Sequence, residues 1–258
     1  MKLLRSLAIA FAMYSRIPAP HVRWEKDSMS LAMCFFPLVG AVIGALMCVW
    51  CSLAGLLGLG EVLRAAGLLL IPVGISGGMH LDGFIDVSDA LGSHQPRERK
   101  LEILKDSRTG AFALISLVCY MILFFAAWCA YVPDPRTMAA LAIVPVLSRA
   151  LSALAAMFFK NARGSGLLAT FTDAAQKTAS RIVSFIWTAA AVAAMYVLSP
   201  VVGIASAVGA GVMFLVYRLT AYRQFGGTTG DLAGWFTQLC ELVCVLVSVL
   251  ALRIMEVL

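Results

Sequence analysis

The sequence predicts an all-α membrane bundle of about seven transmembrane helices, preceded by an N-terminal interfacial helix and built as a single integral membrane domain over residues 1–258. Three observations predict it. First, 61% of the residues are hydrophobic and 13% are charged, against about 25% charged in a soluble domain. That much apolar surface exceeds what one water-soluble core can hide, so lipid is its natural solvent. Second, the apolar residues fall into runs near the ~20 residues that ~30 Å of hydrocarbon demands. Third, the basic residues sit in short segments between those runs, as charges flanking membrane helices do. This placement ties the net charge of +6 to the bilayer and excludes nucleic acid as the partner.

Residues 3–13 are apolar but too short to span. With Lys2, Arg5 and Arg16 around them they read as an interfacial helix, ended near Pro18 and Pro20. No small-residue cleavage site follows, so no cleavable signal peptide is expected. The first span covers 31–57 and holds Gly40 and Gly44 in GxxxG spacing, which permits close helix contact. Cys48 and Cys51 form a CxxC inside this apolar run, where packing is expected rather than metal or redox chemistry. The second span, 62–79, runs into Gly77-Gly78, and residues 80–109 are the most polar part of the chain. The third span is 111–132, closed by the turn Pro133-Asp134-Pro135, and the fourth is 138–159. A polar loop, 160–180, leads to the fifth span at 182–198; Ser199-Pro200 then turns the chain into the sixth at 201–221. The loop Gly226-Gly227-Thr228-Thr229-Gly230 precedes the seventh span at 232–256.

Lys and Arg set the orientation. They crowd the N-terminal segment and the loops 80–109, 160–180 and 222–231, whereas the other side holds only Arg64, Arg136 and Arg253. The positive-inside rule places the N-terminus and those three loops in the cytoplasm.

The richest chemistry lies in Gly77-Gly78-Met79-His80-Leu81-Asp82-Gly83, followed by Asp86 and Asp89. A helix from Asp82 puts Asp82, Asp86 and Asp89 within about 60° of one face. Stacked carboxylates repel, a divalent cation removes the repulsion, and oxygen-only ligands suit Mg²⁺, Mn²⁺ or Ca²⁺. His80 lies off that face, as a general base or as a hydrogen-bonded residue at the membrane boundary. Lys105-Asp106-Ser107-Arg108-Thr109-Gly110 combines cations and hydroxyls suited to phosphate oxygens, although ordinary flanking charge looks the same. In Asn161-Ala162-Arg163-Gly164-Ser165-Gly166, glycines after an arginine can let backbone N–H groups approach an anion. Gly226-Gly227 and Asp231 repeat the GGxxxD spacing of Gly77-Gly78 and Asp82, so a parallel internal repeat is conceivable. Glu241 lies ten residues into the last span, hence ~15 Å deep at 1.5 Å per residue. Arg149 lies at similar depth in the fourth span, and buried charges at matched depth pair or line a polar cavity.

Taken together, these pieces resemble a known family. Tyr14-Ser15-Arg16-Ile17-Pro18, the Gly-Gly-x-His-Leu-Asp-Gly run at 77–83, Asp86, Asp89, Lys105-Asp106-Ser107-Arg108, Ser148-Arg149, Ala162-Arg163 and Thr229-Gly230-Asp231 occur in order along nearly the whole chain. They resemble the cobalamin synthase family, the adenosylcobinamide-GDP ribazoletransferases. The chain departs from the family pattern at Lys160-Asn161, where a proline is usual, and at Gly166-Leu167-Leu168, where Gly-Leu-Gly is usual. The resemblance implies a Mg²⁺-dependent enzyme of the bacterial inner membrane with its site facing the cytoplasm. It joins adenosylcobinamide-GDP to α-ribazole, or α-ribazole 5′-phosphate, and releases GMP; other cobalamin-assembly enzymes are possible neighbours. It implies Asp82, Asp86 and Asp89 as metal ligands and His80 or Asp89 as the base. It implies Lys105, Asp106, Arg108, Arg149, Arg163, Asp231 and Glu241 as substrate contacts. Two rivals are a CDP-alcohol phosphotransferase, whose motif needs Ala-Arg where Phe84-Ile85 follows Asp82-Gly83, and a cation-coupled transporter, which would want most of its acids at the membrane midplane.

Overall fold

The computed structural model describes residues 2–106, 108–164 and 166–257, and its regular elements are all helical. In chain order they are α1 (Lys2–Tyr14), α2 (Lys26–Met29), α3 (Ala32–Leu56), α4 (Glu61–Ser76), α5 (Met79–Gly92), α6 (Arg97–Ile103) and α7 (Ala111–Ala130). Then follow α8 (Pro135–Leu141), α9 (Val144–Phe158), α10 (Leu167–Ala174), α11 (Lys177–Leu198), α12 (Pro200–Thr220), a π-helical turn (Ala221–Phe225) and α13 (Gly230–Val257). Large apolar side chains such as Ile115, Ile122, Phe185, Ile186, Val208 and Val212 point outward from α7, α11 and α12. Such surfaces suit lipid and not water.

Among the described residues, five segments are long and apolar enough to cross a membrane: α3, α7, α8 with α9, α11, and α12 with its π-helical turn. The pair α4–α5 meets the same criterion only when its two helices are taken together, across a bend of 95° that suits a broken span or a re-entrant loop. The expected seventh crossing corresponds to α13, which at 28 residues has the length but falls outside this apolar set. Its polar residues are accommodated by protein: α13 packs on α12, α5, α9 and α7, so Gln238 and Glu241 are buried among helices instead of facing lipid.

The bent pair differs from the sequence expectation, which ended the second span near residue 79 and placed a polar loop after it. Helix resumes at Met79 and runs to Gly92. Gly77 and Gly78 make the break, both in the left-handed region at φ 66° and 80°, where a Cβ is disfavoured. The chain after α1 holds this break in place. Arg16 donates its backbone N–H to the Ile75 carbonyl at 2.8 Å, and its side chain lies where a Cβ on Gly77 would come within 2.7 Å. The carbonyl end of α4 thus receives both a donor and a cation.

The fourth span is also interrupted, between Leu141 and Val144. Asp134 caps α8 by accepting from the N–H groups of Arg136 and Thr137, and Pro135 takes the first helical position. The Gly40–Gly44 spacing is used here, because Cβ atoms at those positions would lie 2.3 Å from the Pro145 oxygen and 1.9 Å from the Ala142 oxygen. The loop predicted over 160–180 contains α10, and α11 starts five residues earlier than expected, at Lys177. Lys177 and Arg181 made that first turn read as loop. Arg181 in fact donates to the Met157 carbonyl at 2.9 Å, closing the C-terminal end of α9. All seven cysteines are free.

Candidate active site

A cavity of about 220 Å³ opens between the end of α1, α3, α5, α9 with Asn161 and Arg163 of the loop after it, α10 and the start of α13. Its polar wall carries His80, Asp82, Asn161, Arg163, Thr229 and Asp231. Two glycines create it. A Cβ on Gly83 would come within 2.6 Å of the Asp231 oxygen, and one on Gly234 within 3.0 Å of the His80 oxygen. The starts of α5 and α13 therefore cross backbone to backbone, and the two GGxxxD segments face one another. Asp82 and Asp231, far apart in sequence, reach the same cleft by this contact.

The third side is the loop after α9. Asn161 Oδ1 accepts from the N–H groups of Arg163 (2.9 Å) and Gly164 (3.0 Å), an Asx turn. The same loop pairs with the glycine–threonine loop: Ala162 N–H donates to Thr228 O (2.8 Å) and Thr228 N–H to Lys160 O (2.7 Å). Gly227 is required there, since its Cβ would lie 2.3 Å from the Lys160 oxygen. The pairing holds Arg163 Nη1 3.2 Å from Asp231 Oδ2. Arg163 Nε and Nη2 are buried with no partner among the described residues. Donors left so are costly, and an anion in the cavity would satisfy them.

The acidic face of α5 forms as the spacing predicts, but its neighbours divide it. Asp86 is repelled by Asp82, Asp231 and Asp89 and attracted by Arg163. Asp89 turns to α7, where its Oδ1 accepts from Ala113 N–H at 3.4 Å and its carboxylate covers Gly110; it serves the N-terminus of α7. Among the described residues no three His, Cys, Asp or Glu side chains gather as a metal cage. The reason is geometric: seven residues of helix separate Asp82 from Asp89 by about 10 Å along the axis. The carboxylates that line the cleft are Asp82 and Asp231, and Asp86, one turn further along α5, lies near enough for their charges to act on it. Their donor chemistry fits a hard cation held by one or two carboxylates together with substrate phosphates, the usual arrangement for Mg²⁺.

The other predicted residues are placed as follows. Lys105, Asp106 and Arg108 are exposed and do not line the cavity. Arg108 donates to Asp106 at 2.8 Å, and these hydrogen bonds hold the Asp106 carboxyl down at about 2. Ser107 and Ser165 lie outside the described residues. Arg149 and Glu241 face each other instead of the cavity. Arg149 Nη1 lies 2.6 Å from Glu241 Oε1, and both side chains are buried. Ser148 Oγ donates to the same oxygen at 2.8 Å, and Arg149 also donates to Pro145 O at 2.9 Å. His80 is buried beside Phe36, with Nδ1 unpartnered among the described residues.

The apolar wall was not anticipated. Tyr14, Phe36 and Phe171 form a contiguous aromatic cluster, with ring centroids 4.1 Å apart for Tyr14–Phe36 and 6.3 Å for Tyr14–Phe171. In sequence these residues look like lipid-facing positions. Only the Tyr14–Pro18 segment pointed to that end of the chain.

The family described as Cobalamin-5-phosphate synthase matches residues 6–249. A protein of Lachnoclostridium phytofermentans named adenosylcobinamide-GDP ribazoletransferase is 46% identical over 251 residues, 97% of this chain and 95% of that one. Proteins of the same name from Pseudomonas fluorescens (35% identical; 84% of this chain, 86% of that one) and Clostridium botulinum (30%; 93% and 95%) are also similar. No solved structure matches.

Proposed function

The chain belongs to the cobalamin-5-phosphate synthase family, and from that membership we infer that it joins adenosylcobinamide-GDP to α-ribazole or its 5′-phosphate, the last stage of nucleotide-loop assembly. A ribose hydroxyl of α-ribazole attacks the phosphorus next to the cobinamide. The P–O–P bond breaks, GMP leaves with the bridging oxygen, and the hydroxyl proton is lost. Such transfer needs positioning and charge neutralisation more than covalent chemistry.

One observation carries the reading: the cleft that brings Asp82, Arg163 and Asp231 together while leaving Arg163 Nε and Nη2 without partners. Arg163 would hold diphosphate oxygens through these donors. Asp82 and Asp231 would hold Mg²⁺, with the charge of Asp86 beside them adding to the attraction. When bound, Mg²⁺ supplies neutralisation of the charge that develops on the phosphates. Lys105 and Arg108 lie on the surface beyond Asp89, where they suit attraction of the anionic substrate more than contact with its reacting atoms.

Incubating the purified protein with adenosylcobinamide-GDP and α-ribazole tests this. Formation of adenosylcobalamin and GMP is expected, lost with a chelator and restored by Mg²⁺. Absence of product with Mg²⁺ present would remove the enzyme reading and leave a transporter to be tested.

The site would face the cytoplasm of the bacterial inner membrane, where nucleotide-activated substrates are made. The Lys and Arg distribution supports this. A cysteine placed at Gln95 or Gln176, in a background lacking the native cysteines, should escape an impermeant maleimide in intact cells and react once the membrane is opened. Strong labelling of intact cells at either position would reverse the orientation.

A further inference from the structure

We propose that the apolar half of the cavity is the pocket for the aromatic base of α-ribazole, and that the corrinoid substrate stays at the cavity mouth. This assignment rests on the function proposed above and says which of the two substrates enters. Size is the first argument. A volume of about 220 Å³ lies below the ~300 Å³ at which ordinary small-molecule pockets begin. It suits a two-ring base with its sugar, and a corrin macrocycle carrying amide side chains is far too large to enter.

Lining chemistry decides between the two bases in the reaction. Guanine presents a carbonyl, a ring N–H and an exocyclic amine, each needing a partner when buried. The apolar side chains that line the cavity include Met13, Met33, Phe36, Met79, Leu168 and Phe171, and these offer none of those partners. Of the hydroxyls that line the cavity, that of Tyr14 donates to the Met33 sulfur at 3.0 Å; Ser152 and the unpartnered Nδ1 of His80 leave partners enough for the one free ring nitrogen of a benzimidazole but not for the three polar groups of guanine. A 5,6-dimethylbenzimidazole ring has a hydrocarbon outer edge and no exocyclic polar group. It suits methionine sulfurs and aromatic faces. The cluster Trp24–Phe171–Tyr14–Phe36–His80 is continuous, with Trp24 5.8 Å from Phe171 and His80 5.6 Å from Phe36. It supplies ring faces along that wall. A base held there places its ribose toward Asp82 and Arg163, where the hydroxyl must meet the diphosphate. The guanosine part then remains outside with the corrinoid.

Wild-type kinetics test the assignment without relying on a variant that folds. Free 5,6-dimethylbenzimidazole, which has no ribose and cannot react, should inhibit competitively against α-ribazole and not against adenosylcobinamide-GDP, and guanosine should not compete with α-ribazole. The partly exposed Leu168 gives a second measurement. Leu168→Gln places a polar group against the ring and should raise KM for α-ribazole by at least ~10-fold, with KM for adenosylcobinamide-GDP changed less than ~2-fold. Competition of guanosine with α-ribazole would assign the pocket to the other base and overturn the proposal. So would a Leu168→Gln effect confined to adenosylcobinamide-GDP, or no inhibition by dimethylbenzimidazole up to its solubility. In each of these cases wild-type turnover persists and the proposed function stands. Failure of the wild-type protein to form product with Mg²⁺ present would remove the function and this assignment together.

Discussion

Asp82→Asn and Asp86→Asn are each expected to lower turnover at least ~100-fold, the loss of several kcal/mol of charge neutralisation at the transferring phosphate. Neither should unfold the protein. Asp82 is exposed to the cleft, and Asp86 sits among carboxylates that repel it. Removing one of those charges relieves the repulsion, so the melting temperature of Asp86→Asn without divalent cation should equal or exceed that of the wild type. Stability and activity then move in opposite directions, as at sites kept for chemistry at some expense of stability. Asp89→Asn is the informative control. It keeps an oxygen for the Ala113 N–H and should lose far less activity, because Asp89 serves the start of α7. Near-normal turnover in both Asp82→Asn and Asp86→Asn would reduce the acidic face to a solvated surface. A ~100-fold loss in Asp89→Asn at unchanged stability would return it to the cation site.

The Arg149–Glu241 pair should behave in the opposite way. Both side chains are almost fully buried, and breaking a buried pair by removing one partner leaves an uncompensated charge, at about 3–5 kcal/mol. Arg149→Gln and Glu241→Gln should each lower the melting temperature sharply. The double variant should recover much of the loss, since two amides can hydrogen-bond to each other and to Ser148 and the Pro145 carbonyl. Turnover should follow the folded fraction, because neither residue lines the cavity. Additive losses in melting would show the two residues to be uncoupled. Turnover abolished in a double variant of restored stability would place Arg149 on the substrate instead.

The family, the all-α membrane architecture, the helical acidic face of α5 and the matched depth of Arg149 and Glu241 could all be read from the chain by itself. These features are local or one-dimensional. Composition and run length decide what lipid can dissolve, the 3.6-residue period decides which carboxylates share a face, and depth is a count of residues along a span. Glycine spacing carried part of the tertiary message. Gly40 and Gly44 do sit against a neighbouring backbone, and the two Gly-Gly-x-x-x-Asp segments do meet.

Tertiary structure alone decided the rest. A two-glycine break turns the chain through 95° between α4 and α5 where hydropathy reads a span followed by a loop. The same acidic face is split between the cleft and the start of α7, because Asp89 finds the Ala113 N–H within reach. Arg163 becomes a cavity residue only through backbone pairing between residues 160–162 and Thr228, more than sixty positions away in the chain. The aromatic wall draws on α1, α3 and α10, whose residues each look suited to lipid. Hydropathy measures how much a side chain avoids water, and lipid, a packed core and a bound aromatic ring all satisfy that preference equally well. Which of them a given residue meets is settled by which helices lie beside it.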